Sequence, residues 1–114
     1  MSAAVIPELN RAMVLETRAL NPDGGGGQVE AWVALGTLWA AIERPAARLV
    51  ADGAREVPAL RVRIIVRAAP TGQDRRPLPG QRMRQGDRIF AIQAVSEYDP
   101  KGRFLQLWAE EDQP

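Results

Sequence analysis

Four consecutive glycines, Gly24 to Gly27, sit between two stretches whose side chains alternate in strand fashion. Glycine takes positive φ without steric cost, so a run of it behind Pro22-Asp23 marks a chain reversal. The stretch DGGGGQVEAWVALGTLWAAIE, from Asp23 to Glu43, therefore reads as the tip and returning side of a β-hairpin. A second reversal is expected near Gly36, dividing a strand 28–35 from a strand 37–43. Trp32 and Trp39, one on each, read as anchors in the core or at a subunit interface. A covered indole needs an acceptor for its N–H, and a strand edge or a subunit seam supplies one.

The rest of the chain follows the same period of two. Residues 11–18 alternate Met13, Leu15 and Thr17 with Val14, Glu16 and Arg18. Residues 60–67 put Leu60, Val62, Ile64 and Val66 on one face and Arg61, Arg63, Ile65 and Arg67 on the other. The arginine face reads as a solvated face with salt-bridge partners on the next strand, in preference to a polyanion stripe. Residues 80–84 form a short strand, and Gln85-Gly86-Asp87 turns into residues 88–98. That strand looks apolar on both faces, as if covered on both sides. Asp99-Pro100-Lys101-Gly102 is a turn, and 103–110 is the last strand, carrying Trp108. Residues 44–59 break the pattern. Pro45 ends the strand, and Ala46 to Ala51 predicts a short helix. A loop of this length in a small β domain usually has a task. Residues 68–79 form a second long loop. Together these give an all-β chain: a small antiparallel barrel or sandwich of about seven strands with one long inserted loop and one short helix.

At 114 residues the chain is one domain. Residues 1–10 read as an N-terminal arm, 11–111 as the β domain with its insertion at 44–59, and 112–114 as the end of an acidic tail. The start, MSAAVIPELNR, lacks the basic and apolar blocks of a signal peptide, and no apolar run is long enough to span a bilayer. The expectation is a cytoplasmic product with no membrane partner. There is no cysteine and no histidine, which removes disulfides, thiolates, imidazole bases and nearly every zinc site. Serine occurs only at Ser2 and Ser96, with no base for a triad. The glycine run leads into a strand, so it lacks the helix dipole that holds a phosphate. No catalytic residue, cofactor or metal is expected, and the chain reads as a non-enzyme.

Charge is unevenly placed. Residues 1–43 carry two arginines against five acids, residues 44–88 eleven arginines against four acids, and residues 89–114 two basic residues against five acids. A basic middle between acidic ends suits a polyanion or a complementary protein surface. The acidic ends are expected to meet basic surface on neighbouring molecules.

Several stretches, in order, resemble the phage head–tail joining family, the head-closure or stopper proteins of long-tailed phages. They are Leu9-Asn10-Arg11, then Asp23 to Gly27 before Glu30-Ala31-Trp32, then Leu38-Trp39-Ala40-Ala41-Ile42. Val62 to Arg67, Gly86 to Ile92, and Leu105-Gln106-Leu107 follow. The family often has a histidine just before the strand that begins here at Val62; this chain has none. The resemblance implies a small β-barrel subunit of a homo-oligomeric ring, of roughly six or twelve copies. It also implies a place beneath portal and adaptor and above the tail terminator, in the neck of a particle assembled in a bacterial cytoplasm. Such a ring retains packaged double-stranded DNA and presents a platform for the tail. The insertion 44–59 matches the loop that projects towards the channel, so Arg44, Arg48 and Arg55 become candidates for non-specific phosphate contact. Trp32, Trp39, Trp108, Arg61, Arg63 and Arg67 become candidates for the subunit interface or core. The arginine-rich composition suits a gene transfer agent of a GC-rich bacterium. The alternatives are a free single-stranded nucleic-acid-binding barrel, with aromatics exposed beside arginines, and another neck part such as a tail terminator.

Overall fold

The computed structural model describes residues 7–44, 49–52, 55–58 and 61–112. Eight strands occur in it: β1 (Arg11–Pro22), β2 (Gln28–Glu43), β3 (Leu49–Asp52), β4 (Arg55–Pro58), β5 (Arg61–Arg67), β6 (Arg82–Gln85), β7 (Arg88–Glu97) and β8 (Phe104–Glu111). Six of them close a barrel in the order β1-β2-β5-β8-β7-β6, and β3 and β4 pair only with each other. Every pairing is antiparallel. The all-β expectation holds. The short helix does not: residues 49–51 lie in β3, while 46–48 fall outside the described residues. The helix propensity of Ala, Arg and Leu is a weak preference, and pairing of β3 with β4 overrides it.

The barrel core follows from alternation. Met13 and Leu15 on β1, Ala40 on β2, Val62, Ile64 and Val66 on β5, and Met83 on β6 are buried. Phe90 and Ile92 on β7, with Leu105, Leu107 and Ala109 on β8, complete the cluster. Ile65 stands on the arginine face of β5 and is nevertheless fully buried.

Two corrections concern β2 and β7. There is no reversal at Gly36; β2 is one continuous strand of 16 residues. Gly36 lies opposite Leu15 and Ala34 opposite Glu16, so Leu35 is an extra residue on β2. A single glycine between Leu35 and Thr37 makes a β-bulge instead of a turn, and its φ of +156° is one that side chains avoid. Leu35, the extra residue, packs against the core. On β7 only one face is covered, since Ala91, Gln93 and Ala94 are exposed. A second bulge, between Ile92 and Ala94, passes the core-facing role from Ile92 to Val95. The apolar look of both faces arises from this switch.

The first hairpin forms as its glycines predict. The Asp23 carboxylate accepts hydrogen bonds from the N–H groups of Gly25 (2.8 Å) and Gly27 (3.0 Å). Gly24 and Gly26 take positive φ, and any side chain at Gly27 would strike that carboxylate. The hairpin outruns the barrel. β1 pairs β6 only over Val14–Glu16, and β2 pairs β5 only over Ala40–Glu43. Beyond those contacts, residues 17–22 and 28–33 form a two-stranded ribbon.

Candidate functional site

Because neighbouring strands are antiparallel, connections leave the barrel from two ends. The insertion 44–60 and the Gly86-Asp87 turn leave from one end; the glycine tip and the loops 68–81 and 98–103 leave from the other. At the first end Glu111 closes β8 beside the starts of β5 and β7. Arg88 grips it through Nε (2.7 Å) and Nη2 (3.1 Å), and Arg44 adds Nη2 at 3.2 Å. The Arg88 hydrogen bonds outweigh burial and, with Arg44, hold the Glu111 carboxyl below its usual range; in return they raise Arg88. Arg44 is the first residue of the insertion and stays more than half exposed. The clamp therefore ties the root of the insertion to the barrel wall while leaving a basic side chain at the surface.

The ribbon carries a second cluster. Glu16 sits behind the β1–β6 seam with its side chain 8% exposed, bound by Arg82 Nε at 2.7 Å and Arg84 Nε at 3.0 Å. Burial pushes its pKa up, but the two guanidiniums outweigh that and the net shift is downward. The Arg82 guanidinium also lies 4.2 Å from the centroid of Trp32, and that of Arg18 lies 5.2 Å from it. Arg18 in turn pairs with Glu30 across the ribbon at 3.1 Å. Trp32 is thus half-buried under cations on the outer face, and is not a core residue.

Trp39 is 59% exposed. It lines a groove of about 360 Å³ with Leu9, Arg67, Arg75 and the chain from Ala68 to Pro70. Trp108 is half-buried on the barrel wall, where the Arg63 guanidinium stands 5.7 Å from its ring and 5.8 Å from that of Tyr98. None of the three tryptophans enters the core, which corrects that half of the sequence reading. The barrel interior is filled by aliphatic side chains, two methionines and Phe90.

On the arginine face of β5, Arg61 and Arg63 pair with acids on the two neighbouring strands, while Ile65 between Arg63 and Arg67 is buried. Arg63 binds Glu43 through Nε (2.9 Å) and Nη2, and Arg61 reaches Glu110 at 3.9 Å. Arg67 lies over Phe104 at 5.6 Å. Arg48 falls outside the described residues, and Arg55 opens β4 with its side chain likewise outside them. Within the acidic C-terminal run Glu111 is bound by Arg88 and Arg44, while Glu110 stays more than half exposed beside Arg61. At the opposite end, Asp99 accepts from the backbone N–H of Arg103 and Phe104 and from Arg103 Nε. Burial opposes its ionisation, but these donors prevail and lower its pKa.

Sequence reasoning missed two clusters, Glu16 with Arg82 and Arg84, and Glu111 with Arg88. Glu16 and Arg82 are 66 positions apart, and only barrel closure makes them neighbours. Among the described residues no group of three or more acidic side chains could hold a metal ion. The arrangement fixes surfaces.

The phage head completion protein family matches residues 5–112. A chain in the solved virion of a native gene transfer agent particle is 42% identical, with 94% of this chain and 98% of that chain covered and a TM-score of 0.75. A Shigella flexneri 2a protein solved in solution is 21% identical over 90% of this chain and 92% of that chain, with a TM-score of 0.61, and shares the fold. No curated protein matches the chain.

Proposed function

The chain belongs to the phage head completion protein family, and from that premise we propose that it is a structural subunit of the neck of a phage or phage-like gene transfer agent particle. It acts by shape and seating, without turnover and without a cofactor. Copies assemble into a ring beneath portal and adaptor, close the filled head, and offer the surface on which the tail terminator docks. The insertion 44–60 is the part assigned to DNA. It leaves one end of the barrel as the β3–β4 hairpin, rooted by the Arg44–Glu111–Arg88 clamp. Arg44, Arg48 and Arg55 meet phosphates of packaged double-stranded DNA without reading bases.

The observation that carries this reading is the 42% identity, over nearly the whole of both chains, to a chain of a gene transfer agent virion. The test is deletion of the gene in the particle-producing strain. The expected result is heads that lose nuclease-protected DNA and lack tails, restored by a plasmid copy. DNA-filled, tailed particles in normal yield from the deletion strain would overturn the reading.

A further inference from the structure

We infer that the β1–β2 ribbon is the seam between copies: the free edge of β2, Gln28 to Val33, pairs with the free edge of β1, Thr17 to Pro22, in the next copy. This deepens the ring reading above and rests on it.

The barrel consumes its own edges by closing, but the ribbon does not. Among the described residues β1 has no partner on its outer flank beyond Glu16, and β2 has none on its outer flank before Ala40. Each flank leaves a row of backbone N–H and C=O groups open to pairing. A lone two-stranded ribbon is also marginal by itself and gains from added strands. The usual protection of an open edge is sparse here. Residues 17–22 and 28–33 contain no lysine, and their single proline, Pro22, is at the tip. Leu20, Val29 and Val33 are 64%, 52% and 42% exposed.

Two features select a second copy, joined head to tail, as the occupant. A ring needs two different complementary surfaces on each subunit, and the ribbon has one on each flank. Copies related by rotation keep their ribbons in the same sense, so β2 of one meets β1 of the next antiparallel, as β1 and β2 already meet within a chain. The charges agree. Arg18 is the only charge on the free stretch of β1, and Glu30 the only charge on that of β2. Joining β2 to β1 therefore sets opposite charges side by side, whereas joining β2 to β2 sets Glu30 against Glu30.

The chain has no cysteine, so the test uses Ala19→Cys and Ala31→Cys as separate single-cysteine proteins. These positions face each other within one ribbon, and keeping them on separate chains removes the intramolecular link. Particles are made from a strain producing both proteins together and from strains producing each alone, then treated with a short bis-maleimide. Chain dimers should be several-fold more abundant in mixed particles than in either single set. The pair Asn21→Cys and Val29→Cys repeats the experiment if the first pair assembles poorly. Dimers as abundant with Ala31→Cys alone would overturn the head-to-tail seam. So would the lack of any cross-link in particles whose neck map shows a ring, and that outcome leaves the ring standing. A neck map without a ring of this chain would remove the ring reading itself.

Discussion

Replacing Glu16 by glutamine tests whether the sealed seam between β1 and β6 depends on charge. The substitution keeps the shape and removes the negative charge beneath two guanidiniums. A hydrogen bond to a charged partner contributes about 1.5–3 kcal/mol. Arg84 is 37% exposed and can turn to water, so its share is small. Arg82 is only 20% exposed, is held against Trp32, and among the described residues has no other carboxylate bonded to it. The loss should therefore be about 2–3 kcal/mol at neutral pH, mostly from stranding Arg82. For a domain of this size that corresponds to a fall in Tm of roughly 8–12 °C. The measurement is urea and thermal unfolding of wild type and Glu16→Gln across pH. Glu16 has a lowered pKa in the folded state. Its ionised form therefore adds stability above the ordinary carboxylate pKa, and that stability is lost as pH falls through the folded value. The gap between the two proteins should be full at pH 7 and shrink in acid. A Glu16→Gln protein within about 0.5 kcal/mol of wild type at pH 7, or a gap that ignores pH, would refute the reasoning.

Two further outcomes are expected. Gly36→Ala meets no nearby atoms but must hold a φ of +156°, so it should destabilise the fold by about 1–3 kcal/mol through backbone strain alone, measured by urea unfolding. Joint replacement of Arg44, Arg48 and Arg55 by alanine should leave the neck assembled by cryo-EM, yet lower nuclease-protected DNA per particle, with the loss growing as salt is reduced during purification.

The period of two was enough to find most strands, because alternation is local and each strand needs only its own residues to show it. Asp23 and its four glycines identify the first hairpin for the same reason, since the loop bonds within itself. Alternation failed where one strand counts differently from its partner. Leu35 and Gln93 are the extra residues of two bulges, and a bulge is defined only across a pair. It failed again in the insertion, where local propensity favours helix and the opposing strand decides otherwise. The resemblance placed the insertion near DNA, but the Arg44–Glu111–Arg88 clamp joins residues up to 67 positions apart. No spacing rule reaches that far.

The sequence alone determined an all-β chain, its glycine-tipped first hairpin, its aliphatic core face, and the absence of cysteine and histidine. These follow from side-chain type and order. Tertiary structure alone decided which arginines are spent on internal carboxylates, that the tryptophans lie outside the core, and which strand edges stay open. Each of those depends on how far a strand runs past its neighbour, and that length is set by barrel closure and has no signature in either strand by itself.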